Sequence, residues 1–161
     1  MNSILTVSEN WNLLNDKKYV EENPCDEVRL RQLVTGKIVV MGLHTWLNKG
    51  TLFTGRASKI YVLADKIINS KSCIPAYSVE ELLDDLKFYE ESDIFVVGGK
   101  ETLNKLWEHL NTMYITQVQH PIFTDKRVPN LDDLACWELT ENSNRICGNT
   151  QFCFKTYKKA S

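Results

Sequence analysis

An uninterrupted apolar run that stops at a glycine, Ile38-Val39-Val40-Met41-Gly42, limits the possible folds of this chain more than any other stretch. A strand with one wet face alternates apolar and polar residues. A run without alternation must be buried on both faces, the condition of a central strand in a parallel sheet covered by helices. Ile94-Phe95-Val96-Val97 repeats the pattern and ends at Gly98-Gly99, after which Lys100 opens a helical period that extends to His109. Adjacent glycines at the carboxyl end of a buried strand let the backbone approach a bound group with no Cβ in the way, and the following helix offers free N–H groups to an anion. A plain turn has the same composition, so the pair marks where to search for function and does not name a ligand.

The remaining elements fit around these two strands. Ser3 to Val7 reads as a short buried first strand, and Ser8 to Lys18, rich in Asn and Asp, as a mobile loop carrying Trp11, Leu13 and Leu14. Pro24 precedes a helix from Cys25 to Val34, with Asp26 and Glu27 in its first turn, an apolar face at 30, 33 and 34, and Gly36 as its stop. His44 to Asn48 reads as a helical turn, and Lys49 to Arg56 as a loop leading to a third strand, Lys59 to Ala64. Ser78-Val79-Glu80-Glu81 is a capping box opening a helix to Leu86. Beyond Thr112 the pattern alternates at Met113–Gln119, Trp137–Thr140 and Gln151–Tyr157, the last two an expected antiparallel pair joined through Asn142 to Asn149. Strands and helices alternate first and strands cluster last. The expectation is one α/β domain over residues 1–161, with a mostly parallel twisted sheet of about eight strands, an antiparallel C-terminal edge and about four helices. Ligands of such a sheet bind outside the carboxyl ends of its strands.

Composition removes several classes of function. The 161 residues are 43% apolar and 25% charged, a globular balance, and 19 basic against 21 acidic side chains leave no basic block for nucleic acid or a membrane surface. Five cysteines form no C-x-x-C pair, no metal site is expected, and an odd count cannot close completely within the chain. Free thiols in a reducing cytoplasm are therefore expected. The amino-terminal residues read as neither signal peptide nor membrane span.

Several short motifs occur in an order and spacing that resemble the dihydrofolate reductase family. They are Asn23-Pro24-Cys25-Asp26, Val39-Val40-Met41-Gly42, His44-Thr45-Trp46, Gly55-Arg56, Ile94 through Gly99, Tyr114-Ile115-Thr116, and Thr124-Asp125 with Val128-Pro129. Together they span nearly the whole chain. The resemblance implies hydride transfer from NADPH to the pterin ring of dihydrofolate, with N5 gaining a proton, in support of one-carbon metabolism, by a monomer whose partner is that small-molecule substrate. Hydride chemistry belongs to the cofactor, so such a protein mainly orients rings, excludes water and supplies a proton.

By the same resemblance Asp26 is the acid that assists protonation and Thr116 the hydroxyl that supports it. Ile4, Leu5, Leu30, Phe53 and Val97 would line the folate pocket, and Arg56 would pair with the carboxylate of the substrate's glutamate tail. The cofactor would meet the pair Gly98 and Gly99, whose peptide is cis in the family, and Lys100, Glu101 and Thr102 after it. Thr6, Leu13, Leu43, His44, Thr45, Leu63, Ala64 and Val97 complete the expected cofactor set.

The departures from the family pattern also carry information. Leu43 stands where an Arg or Lys is usual, Glu101 where a second base often helps to hold the 2′-phosphate, and Asp65 is an acid of the kind that prefers a free ribose hydroxyl. Lys59, Lys66 and Lys71 are near enough in sequence to restore a phosphate site, so NADPH is expected with tolerance of NADH. Leu13-Leu14 replaces Ile-Gly, Leu103 replaces a tyrosine, and Glu21 replaces a tryptophan beside the acid, where an inward carboxylate would oppose ionisation of Asp26. Two other readings share the fold. One is a reductase of a pyrimidine intermediate in riboflavin synthesis, against which Asp26 argues; the other is a relative that binds nucleotide or folate without turnover.

Overall fold

The computed structural model describes residues 1–14, 23–123 and 126–160. In chain order the strands are β1 (Asn2–Val7), β2 (Ile38–Gly42), β3 (Lys59–Leu63), β4 (Ile74–Ala76), β5 (Ile94–Val96), β6 (Thr112–Val118), β7 (Trp137–Cys147) and β8 (Thr150–Lys159). The α-helices among the described residues are α1 (Pro24–Val34), α2 (Leu43–Lys49), α3 (Val79–Leu86) and α4 (Lys100–Leu106). The strands form one sheet in the order β4-β3-β2-β5-β1-β6-β8-β7, the expected α/β architecture with its antiparallel carboxyl-terminal edge. Among the described residues no helix is long and apolar enough to cross a membrane. The chain divides into two compact units, Met1–Asn2 with Arg31–Leu110 and Ser3–Leu30 with Asn111–Ser161.

In the first unit β2 pairs in parallel with both β3 and β5, and β3 pairs in parallel with β4. All five residues of β2 are buried, as its lack of alternation requires. β4 escapes a sequence reading because Pro75 lies at its centre and cannot donate to a ladder. Ser78 caps α3 by accepting the Glu81 N–H at 3.1 Å, but Glu81 accepts from the Tyr77 N–H at 2.9 Å, one residue earlier than in the ordinary capping box. The helix expected through His109 ends at Leu106 and tightens into a 3-10 turn over Trp107–His109.

In the second unit β6 and β8 are antiparallel, with Thr116 opposite Phe154 and Tyr114 opposite Thr156. β7 corrects the expected connection over Asn142–Asn149, since the strand continues to Cys147 and only Gly148 and Asn149 separate it from β8. Its run of exposed polar residues looks like a loop, yet the ladder to β8 satisfies its backbone. Residues 8–14 are also not the mobile segment expected. Trp11 is buried and sits edge-on to Tyr157 with ring centroids 6.0 Å apart, Leu13 bridges Val7, and Leu14 clusters with Val118 and Phe152. The rest of that loop, with Glu21, and likewise Thr124 and Asp125, lie outside the described residues.

The expectation of five free thiols fails. Cys25 and Cys147 form a disulfide with Cα atoms 6.3 Å apart, while Cys73, Cys136 and Cys153 are free. No spacing rule links residues 122 positions apart. The pairing depends on β7 reaching Cys147, in the stretch that composition presents as a loop.

Candidate active site

Helix α1 starts at Pro24, whose missing N–H costs nothing in a first turn, and so places Asp26 near the helix amino end. Asp26 is half-buried. Its Oδ2 accepts from Thr6 Oγ1 at 2.6 Å and its Oδ1 from Thr116 Oγ1 at 2.7 Å. Hydrogen bonds of this length to a carboxylate are the strong, charge-assisted kind and fix both oxygens. Thr116 is 1% exposed and stands where the resemblance puts it. Thr6, expected at the cofactor, has its hydroxyl on the acid instead. Only the alternation of β1 hints at this: Ile4 and Thr6 are half-buried on one face, Leu5 and Val7 fully buried on the other. Leu5 therefore cannot share a side-chain face with Ile4. Leu30, one turn beyond Asp26, is half-buried on the same side of α1.

Arg29 is the charged residue beside the acid that sequence reading missed. Its guanidinium carbon lies 4.1 Å from the centroid of the Phe154 ring and 5.9 Å from that of Tyr114. Burial lowers the Arg29 pKa from its ordinary value; the charges of Asp26, Tyr114 and Glu141 oppose that shift, and Arg145 adds to it.

In the other unit the carboxyl ends of β2 and β5 meet through their backbones. The Val97 N–H donates to the Val40 carbonyl at 2.9 Å and the Gly42 N–H to the Gly98 carbonyl at 2.9 Å. The Gly98–Gly99 peptide is cis, as the resemblance implies, and Gly98 has φ +127°, a conformation that side chains resist. Gly42 is required for a different reason, since a Cβ there would lie 2.6 Å from Oγ1 of the buried Thr102. Thr45 stands over the glycine pair, its Oγ1 3.8 Å and 3.7 Å from where Cβ atoms on Gly98 and Gly99 would be. Gly42 and Gly99 are the N-cap residues of α2 and α4, and neither helix has a side-chain cap. The first-turn N–H groups, including those of Leu43, His44, Lys100 and Glu101, thus have no intrahelical acceptor.

The remaining expected residues divide by what they touch. Leu63 and Ala64 are buried at the end of β3, Leu63 beside Gly42, and Val97 is half-buried. Phe53 is a core residue at 2% exposure, and Arg56 Nη1 donates to the Leu52 carbonyl at 2.7 Å. The His44 ring meets Asn48 at 3.0 Å on the surface. Leu43 is half-buried, and Glu101 pairs with Lys105 at 3.2 Å, which neutralises it locally. Lys59 donates to the Tyr89 hydroxyl at 2.7 Å from the amino end of β3, the wrong end for a ligand at Leu63 and Ala64; Asp65, Lys66 and Lys71 are exposed.

A family model described as dihydrofolate reductase matches residues 1–159. The dihydrofolate reductase of Bacillus subtilis is 24% identical over 132 residues, which cover 82% of this chain and 70% of that protein. That of Haemophilus influenzae is 28% identical over 118 residues, 73% of this chain and 69% of the relative. Among solved structures, the dihydrofolate reductase from Enterococcus faecalis complexed with NADP(H) and RAB-propyl superposes with a TM-score of 0.80 at 18% identity, covering 99% of this chain and 96% of that one. At that identity the superposition speaks for the fold.

Proposed function

The chain belongs to the dihydrofolate reductase family, and from that premise we propose that it reduces 7,8-dihydrofolate to 5,6,7,8-tetrahydrofolate with NADPH, acting as a single domain. The observation that most supports this reading is the carboxylate of Asp26 fixed through both oxygens by Thr6 and Thr116. A carboxylate so oriented presents its free lone pairs in one direction, where it can bond the amino group and N3 of a pterin and favour protonation at N5 through water. Asp26 is the catalytic acid in this reading, and Thr6 and Thr116 position it. In the second unit Ile4 and Leu30 line the pterin from the same faces and Leu5 contributes main chain alone; in the first unit Val97 and Arg56 are half-buried residues that can meet substrate, and Phe53 stays in the core.

The residues present fit a dinucleotide. Two helices without side-chain caps, the cis Gly98–Gly99 pair with no side chain of its own, and the Thr45 hydroxyl over that pair make a backbone cradle for a pyrophosphate. NADPH supplies the hydride when bound. His44, Thr45, Lys100, Glu101 and Thr102 hold it mainly through main chain, with Leu43, Leu63, Ala64 and Val97 as apolar surface; Leu13, buried in the second unit, stays outside this set. Leu43, Asp65 and Glu101 offer a 2′-phosphate no positive charge, and of the three lysines near the third strand Lys59 is engaged elsewhere while Lys66 and Lys71 are exposed.

The test is oxidation of NADPH by dihydrofolate, followed spectroscopically, for the wild type beside Asp26→Asn. Turnover by the wild type, with a fall of about 100-fold or more at neutral pH in a variant that still binds folate, is expected. A wild type that binds folate without turnover with either nicotinamide cofactor overturns the reading. In the same assay NADPH is expected to exceed NADH in kcat/KM by less than about 100-fold, roughly 2.7 kcal/mol; a larger preference defeats the tolerance of NADH.

A further inference from the structure

Helix α1 docks on the β6–β8 ladder through two charged side chains one turn apart. Asp26 bonds Thr116 of β6; Arg29 stacks on Phe154, the β8 residue directly opposite Thr116, and on Tyr114, two residues before it on the same face. Residues three apart on a helix are neighbours, so the guanidinium lies beside the carboxylate that the ladder holds. Its Nη1 is buried and has no hydrogen-bond partner among the described residues. A cation held by ring faces instead of by bidentate acceptors keeps its field available to the nearest carboxylate.

We propose that Arg29 is a positioning residue for the acid: clamped by Phe154 and Tyr114, it sets the rotation of α1 that brings Asp26 onto Thr6 and Thr116, and it places a positive charge beside that carboxylate. The charged and titratable groups facing it are Asp26 on its own helix, Tyr114 on β6, and Glu141 and Arg145 on β7; from β8 it meets the Phe154 ring. Glu141 competes with Asp26 for the guanidinium, and Arg145, with its guanidinium carbon 5.9 Å from the same Phe154 ring, adds a second positive field. The proposal rests on the reading of Asp26 as the acid of the reaction.

The test compares Arg29→Met and Arg29→Gln, which remove the charge, with Arg29→Lys, which keeps it without the planar fork. Two readouts are taken: the side-chain carboxyl carbon of Asp26 titrated by NMR in the protein without substrate, assigned against Asp26→Asn, and the pH profile of the hydride-transfer step. Loss of a neighbouring cation makes a carboxylate harder to form. The measured carboxyl midpoint and the alkaline limb of the rate profile are therefore expected to move upward in both neutral variants. In Arg29→Lys they are expected to stay at the wild-type value while thermal stability falls. Folded neutral variants with an unmoved midpoint overturn the proposal. If the neutral variants do not fold, a raised midpoint in Arg29→Lys overturns it equally. A shifted carboxyl midpoint in a protein without dihydrofolate turnover would keep the contact of Arg29 with the carboxylate and remove the proposed reaction and with it the role of Arg29 in it; turnover with unshifted midpoints would keep the reaction and overturn the role of Arg29.

Discussion

The two compact units hold their candidate chemistry in different material. In the unit of β2, β3 and β5 the prepared groups are backbone: glycines at strand ends, first-turn N–H groups without caps, and a carbonyl-to-amide contact between Gly98 and Gly42. In the unit of β6, β7 and β8 they are side chains gathered from distant sequence, with Thr6 and Thr116 lying 20 and 90 positions from the carboxylate they share. A backbone site is specified by what is missing at a position and tolerates change around it. A side-chain site is specified by the partners themselves, each of which can be deleted. Substitutions should therefore act through lost space in the first unit and through lost hydrogen bonds in the second.

The largest expected effect tests the second half of that contrast. Thr6→Val with Thr116→Val preserves shape and removes both donors to Asp26. Each donor to an ionised group is worth about 1.5–3 kcal/mol; the carboxylate they share is half-buried and water can replace part of each bond, so the double variant should lose about 2–4 kcal/mol of stability at neutral pH. Denaturant melts of the two single variants and the double variant form the cycle that checks it. Strictly additive losses below about 1 kcal/mol each would mean the acid is held by something else.

The same contrast explains what could be read in advance. The strands of the first unit were legible because burial on both faces leaves a contiguous apolar run, as at Ile38–Met41, and because Gly42, Gly98 and Gly99 mark their ends. β4 was hidden by Pro75. In the second unit local composition misled. The polar run within β7 resembles a loop, Thr6 resembles an ordinary strand threonine, and Arg29 resembles a solvated helix charge. Each acquires its meaning only from a partner far along the chain. The role expected of Thr116 came from family resemblance, since spacing and periodicity carried no sign of it. The Cys25–Cys147 bond is the extreme case, a covalent link with no local signature.

That bond supplies the second prediction. Cross-linking residues 122 apart removes much of the unfolded chain's freedom, and disulfides of this kind contribute typically about 2–4 kcal/mol. Thiol titration in denaturant should find three groups before reduction, as for the free Cys73, Cys136 and Cys153. Reduction should release two more and lower the melting temperature. Five reactive thiols in the unreduced protein would restore the reading of the sequence. The first unit holds no part of this link, so amide exchange there should respond less than in β7 and β8.

The third prediction tests the first half of the contrast. Gly42→Ala puts a Cβ 2.6 Å from Thr102 Oγ1, an overpacking that should cost about 1–3 kcal/mol. Thr102→Ala removes the obstructing hydroxyl, so the double variant should recover most of the loss. Recovery would identify the constraint as space; its absence would mean that Gly42 is needed for its backbone.

The smallest expected effect contrasts two buried tyrosines. In the second unit Tyr157 donates to Asp132 at 2.9 Å, and burial, then this bond and the carboxylate charge, raise its pKa above the ordinary value of 10.0. A phenol that titrates later folded than unfolded stabilises fully below pH 10.0 and loses that contribution as pH rises through the folded value. In the first unit Tyr61 shifts the same way, chiefly by burial, but its neighbour Tyr89 shifts downward under the hydrogen bond from Lys59. A depressed phenol gains its contribution below pH 10.0 and keeps it above, whereas Tyr61, like Tyr157, loses its contribution above pH 10.0, so the alkaline decline is shared between the two units. Tyr157→Phe should cost about 1–2 kcal/mol near neutrality and remove its share, up to about 1.4 kcal/mol per pH unit, of the wild-type fall above pH 10.0. Urea midpoints between neutral pH and the alkaline range check both parts. An undiminished slope in Tyr157→Phe would transfer the titration to Tyr61 and place the alkaline weakness in the first unit.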